Sequence, residues 1–123
     1  MAAPNLLAPT TVNGKATAVT LANTTETTLL TNASGSNKFI RINALYASNI
    51  DGTNNVDCTI KYYDAATGGT GYSLATTVTI PADATVVMVG HDAPLYLEEN
   101  RRVTVTASAG NDLALVCSYE EVS

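Results

Sequence analysis

The chain has 123 residues, enough for one domain with a single core that needs no metal or disulfide to fold. Six basic residues against eleven acidic ones leave a net charge of −5, which argues against a phosphate-backbone partner, since such binding runs on clustered Lys and Arg. No stretch reaches the ~18–20 apolar residues of a membrane span, and residues 1–7 lack the basic and apolar regions of a signal peptide. Neither nucleic acid nor membrane is therefore expected as a partner.

Val, Ile, Thr, Tyr and Phe supply 42 of the 123 residues, while Gln is absent and Lys appears three times. Such side chains suit a pleated, half-buried surface, so the composition predicts strands. Hydrophobic residues make up 46% of the chain, but 18 of them are Ala, so the core volume must come from a modest set of Val, Leu, Ile, Tyr and Phe.

In chain order, residues 1–15 lack alternation and read as an extended N-terminal arm, with residues 16–123 as the folded domain. The arm carries the candidate protein-interface residues Pro4, Leu6, Leu7, Pro9 and Val12. The Asn13-Gly14 pair reads as a turn admitting a first strand over 16–21. Further strands are predicted over 25–31, 38–47, 56–63, 72–80, 85–89, 94–97, 102–107 and 113–119, separated by Gly, Pro, Asn and Asp turns. About eight to nine short strands without a helix-period run predict an all-β, single-domain antiparallel β-sandwich, either a jelly roll or an immunoglobulin-like Greek key. The chain has no Trp, so the Cys-Trp-Cys hallmark of immunoglobulin domains is missing.

Sites for chemistry are sparse. Cys58 and Cys117 sit within alternating segments and read as small buried hydrophobes, with one bridge as the other arrangement two cysteines allow. His91 and Asp92 share a turn, where adjacent side chains diverge, and no Ser lies in a nucleophile elbow. Oxygen ligands alternate from Asp51 to Asp57, but without the spacing of a calcium loop, and Asx residues favour turns for their own hydrogen bonding. Tyr46, Tyr62, Tyr63, Tyr72, Tyr96 and Tyr119 read mainly as core-filling residues with hydroxyls at the rim. A non-enzymatic chain without catalytic residues, cofactor or metal is expected. Outward strand positions rich in Thr and Ala, with charged residues only 14% of the chain, fit a protein that works by associating.

Two stretches carry a resemblance. One runs from Asn43 through Ala44-Leu45-Tyr46-Ala47 and Asp51-Gly52 to Tyr62-Tyr63-Asp64-Ala65. The other runs from Ala93-Pro94-Leu95-Tyr96-Leu97-Glu98-Glu99 to Val103-Thr104-Val105-Thr106-Ala107-Ser108. With the ending Ser118-Tyr119-Glu120-Glu121, the chain from about Thr17 onward resembles small virion structural proteins of tailed phages, in particular those of marine cyanobacteria. Asn100 stands where that pattern would place Gly, a position Asn also tolerates.

The resemblance implies a capsid decoration (cement) protein on the virion's capsid surface, assembled in the host cytoplasm. Its partners would be the major capsid protein and copies of itself, as a trimer or other homo-oligomer. It equally covers neck, tail or fibre-base accessory proteins, including ones that bind glycans at the host surface. On either reading the arm would add contacts on a neighbouring subunit, with Leu6 and Leu7 as apolar anchors.

Overall fold

The computed structural model describes residues 8–123. Within them nine strands form, and their alternation decides which side chains are enclosed: β1 (Val12–Thr20), β2 (Thr27–Asn32), β3 (Phe39–Asn49), β4 (Val56–Tyr63), β5 (Gly71–Ile80), β6 (Thr85–Val89), β7 (Leu95–Leu97), β8 (Arg101–Ala107) and β9 (Leu113–Val122). In β4, Val56, Cys58 and Ile60 are buried while Asp57, Thr59 and Lys61 lie toward solvent, the period of two that a half-covered strand requires.

The strands form two antiparallel sheets. The first has the order β1-β9-β3-β6, with β7 also pairing β3, and the second has the order β2-β8-β4-β5. Pairing nests the chain ends inward, β1 with β9, β2 with β8, β3 with β6 and β4 with β5. This is the strand order of a jelly roll, which decides between the two expected sandwich topologies. Facing inner sides make one core. Ile40, Ile42 and Leu45 of β3 and Leu113 and Leu115 of β9 come from the first sheet; Ile60, Val103 and Val105 come from the second. Cys58 and Cys117 lie in this core as free, fully buried thiols, one from each sheet.

Two buried asparagines peg the connections at opposite ends of β3. Asn49 Nδ2 donates to the carbonyls of Asn54 and Ile80, at 2.8 and 2.9 Å, and its Oδ1 accepts from the Asp51 amide. Asn32 Nδ2 donates to the carbonyls of Lys38 and Leu97, and its Oδ1 accepts from the Ser36 hydroxyl. Each side chain supplies loop backbone with the partners a buried segment needs.

The N-terminal boundary differs from the sequence reading. Asn13 and Gly14 form no turn: they pair with Glu121 and Glu120 inside β1, and neither has the positive φ that a two-residue hairpin turn demands. The unbroken ladder to β9 outweighs the local turn propensity, so residues 12–15, expected in the arm, belong to a strand. Thr10 and Thr11 are tied down as well, both amides donating to the Ser123 carbonyl at 2.7 and 3.0 Å.

Candidate interaction surface

The outer sides of the two sheets differ in chemistry. On the first sheet the register sets Ala18 opposite Val116, Val116 opposite Tyr46, and Tyr46 opposite Val87. These four exposed residues form one uncharged row across β1, β9, β3 and β6; Tyr46, Val116 and Val87 are 40%, 43% and 54% exposed. The next row on one side is Thr20, Ala114, Ser48 and Thr85, closed by a 2.8 Å hydrogen bond between the Ser48 and Thr85 hydroxyls. On the other side come Ala16, Ser118 and Ala44. Three successive rows thus carry no charge.

Below them, Gly14, Glu120, Arg41 and Tyr96 form the first charged row. A bulge at Asn43 turns its amide to donate to Glu120 Oε1 at 2.9 Å. Beyond lies a groove of about 220 Å³ lined by Pro9, Val12, Phe39, Arg41, Tyr96, Glu120 and Val122. The Phe39 and Tyr96 rings meet at 4.9 Å between centroids, tilted by 49°. Of the five sequence-nominated interface residues, Pro9 and Val12 come together at this groove, and Pro4, Leu6 and Leu7 lie outside the described residues.

The second sheet's outer side is a polar brace. Glu26, in the β1–β2 connection, accepts from the Tyr63 hydroxyl at 2.8 and 3.0 Å and from Thr104 Oγ1 at 2.6 Å. The Thr104 bond holds the Glu26 carboxyl below its ordinary range, helped by Tyr63 and by the nearby Lys61 and Arg102 charges. The Arg102 guanidinium lies 3.8 Å from the Tyr63 ring centroid and donates to the carbonyls of Ala65 and Gly68, fixing the β4–β5 loop. That loop closes tightly at Gly69, where φ is +76° and an added Cβ would strike Asp64 and Ala65. An ionised carboxylate with its oxygens in use is a connector between strands. Nothing in the sequence placed Glu26 beside Tyr63, because the contact depends on how the β1–β2 connection crosses β8.

The other nominated groups are spent on structure. Asp51 Oδ1 accepts from the Thr53 amide and Oδ2 from Asn54 Nδ2, which lowers its pKa and makes the segment from Asp51 an Asx turn. His91 and Asp92 stand exposed in a turn after β6. The tyrosine expectation holds in part: Tyr62 and Tyr119 pack against the core, with the Tyr62 hydroxyl accepting from Arg101 Nε at 3.0 Å, whereas Tyr46, Tyr72 and Tyr96 are 40%, 54% and 48% exposed. Ile, Leu and Val fill most of the core.

No family model and no curated protein matches the chain. Its fold is similar to a solved subunit of Bacillus endospore appendages, described as a novel family of disulfide-linked pili: 16% identity, covering 92% of this chain and 88% of that one, with a TM-score of 0.53. Two weaker likenesses are to viral particles. One is a chain of the T13 particle of infectious bursal disease virus, with 8% identity and a TM-score of 0.49 over 93% of this chain but only 31% of that one. The other is a chain of the virus-like particle of extra small virus from the giant freshwater prawn Macrobrachium rosenbergii, with 11% identity and a TM-score of 0.47 over 91% of this chain and 78% of that one.

Proposed function

We propose that the chain is a non-enzymatic structural subunit of a virus particle, specifically a capsid decoration (cement) protein of a tailed phage. It would bind the outside of the head through the first sheet, contact the major capsid protein and further copies of itself, and hold neighbouring capsomers together. The observation that carries this reading is the uncharged surface across β1, β9, β3 and β6, centred on Val116 and Tyr46. A contiguous neutral face on one side of a sandwich, with a charged and hydrogen-bonded face on the other, fits a subunit that lies on a partner with one side in water. The sequence resemblance to phage virion proteins supports the same assignment.

The groove beside Pro9 and Val12 lies toward the chain's start, and on this reading Pro4, Leu6 and Leu7 would add contacts on a neighbouring subunit. Many copies of a modest contact give large avidity on a lattice. A second reading, a neck, tail or fibre-base accessory that binds glycans, draws on the exposed rings of Tyr46, Tyr72 and Tyr96. A disulfide-linked appendage like the Bacillus pili fits less well, since both cysteines of the chain are enclosed in the core.

Immunogold electron microscopy with antibody to the recombinant domain, applied to intact particles from the source, tests the assignment. Label over the whole head supports decoration. Label confined to neck or tail moves the protein to the second reading, and particles without label overturn the virion role.

A further inference from the structure

The first sheet ends at β1, and among the described residues nothing pairs with its outer edge. Thr11 and Ser123 exchange both backbone hydrogen bonds, at 3.0 and 2.9 Å, and Leu21 donates to Leu113 with the same parity. Between them β1 pairs β9 in unbroken register from Val12 to Thr20. Antiparallel geometry therefore aims the odd-numbered residues of β1 at β9 and turns the N–H and C=O groups of Val12, Gly14, Ala16, Ala18 and Thr20 away from it. All five are exposed, and β1 has no ladder partner but β9 among the described residues.

The usual protections of an edge are missing here. None of the five outward positions is Pro or charged. The one charge on β1, Lys15, is drawn back over its own sheet by a 2.8 Å ion pair with Glu121. The remaining edges are guarded. The β2 pairing is broken between Thr28 and Leu30. β5 carries two register shifts against β4, with the β-branched Thr77 held at φ +44°. β6 has five residues and a shift against β3, and β7 has only three residues. In a second copy, only β1 matches β1 in length and regularity.

We propose that β1 is a self-docking edge: a second copy adds its own β1 antiparallel to the first about a twofold axis at Ala16, joining the two first sheets into one continuous sheet. This rests on the reading of the chain as a subunit of an assembly. The axis at Ala16 pairs Val12 with Thr20, Gly14 with Ala18 and Ala16 with its own copy, so every outward backbone group finds a partner. Lys15 then lies opposite Thr17. Moving the axis to Lys15 would set the two lysines opposite each other, and moving it to Thr17 would strand Val12. A twofold contact of this kind closes on itself and leaves no further open edge on the first sheet's β1 side.

The test uses the full chain with Ala16→Cys. Residues facing each other in a hydrogen-bonded antiparallel pair have Cα atoms about 5.5 Å apart, within disulfide reach. Both native cysteines are buried, so position 16 supplies the accessible thiol. Mild oxidation is expected to convert most of this variant to a covalent dimer, while Ser73→Cys, exposed on β5, forms no covalent dimer under the same conditions. Ala16→Pro removes one outward N–H without touching the β9 ladder, and is expected to keep the fold by circular dichroism and lower the dimer affinity at least tenfold in analytical ultracentrifugation. An Ala16→Cys chain that fails to cross-link while the wild type still self-associates overturns the edge and leaves the assembly reading standing. A wild type that is monomeric at every concentration, together with an Ala16→Cys chain that does not cross-link, also overturns the edge, and particle labelling then judges the virion reading separately.

Discussion

Tyr46 and Val116 stand opposite each other on β3 and β9, outside the core, where a phenol ring and an isopropyl group face water at the centre of the first sheet. Centre strands carry the least mobile side chains of a sheet. An apolar pair there, with Ala18 and Val87 extending the row to both edges, forms a rigid neutral platform. Val116→Lys is expected to leave the melting temperature within a few degrees, as surface substitutions usually change stability by about 0.5 kcal/mol or less. It should also shorten retention on a hydrophobic-interaction column. Unchanged retention would mean the row is not the apolar surface the protein presents.

Asn49 is expected to be the costliest polar side chain to remove. It satisfies two carbonyls and one amide around a buried strand end. Asn49→Ala leaves these groups without partners and should cost about 2–4 kcal/mol in chemical denaturation. A loss under 1 kcal/mol would mean that water replaces the side chain.

The strand pattern is largely readable from alternation: residues 56–63 and 85–89 are read to the residue, because turn signals bound them on both sides. The N-terminus is not, since Asn13-Gly14 is a turn only when no neighbouring strand claims its backbone, and β9 comes from the far end of the chain. The interaction surface is legible only in part. Thr and Ala on outward faces are visible in sequence, but the row joining Ala18, Val116, Tyr46 and Val87 exists only through the register of four strands. The core expectation fails for Tyr46, Tyr72 and Tyr96 for a related reason. Alternation gives two faces, and only topology says which of them is enclosed.

On the proposed reading, the chain's start has two parts with different roles. Deleting residues 2–8 retains the backbone bonds of Thr10 and Thr11 to Ser123, and the domain should keep its stability while losing particle binding. Deleting residues 2–12 removes those bonds and should cost a further ~1–3 kcal/mol. Thermal denaturation of the two truncations, with a particle-binding assay on each, separates clasp from contact. Undiminished binding by the shorter truncation would remove the arm's proposed role.

Acid should weaken the fold through its connectors. Thr104 and Tyr63 hold Glu26 ionised, and Lys15 and Lys38 do the same for Glu121, so both carboxyls have lower pKa values folded than unfolded. Their contribution is present above the ordinary carboxylate value of 4.5 and disappears as pH falls through the folded values. Glu26→Gln should be less stable than wild type at pH 7 and lose less on acidification. Parallel acid curves for the two proteins would exclude Glu26 as a contributor.

At the alkaline end the thiols act. Burial pushes Cys58 and Cys117 up to about 11 from an ordinary value of 9.0. Unfolded thiols ionise first, so stability should decline from about pH 9 upward, with the raised Tyr63 and Lys15 acting in the same direction. Both cysteines should resist a thiol reagent in native buffer and react fully in denaturant. Rapid native labelling would contradict their burial.

The most direct test of the central claim is co-sedimentation of the purified domain with heads from the source particle, comparing wild type, Val116→Lys on the first sheet and Thr79→Lys on the second. The expected result is saturable binding by wild type and Thr79→Lys, and at least tenfold weaker binding by Val116→Lys. Equal binding by all three, or loss confined to Thr79→Lys, would contradict the assignment of the first sheet's outer face as the surface by which this protein assembles.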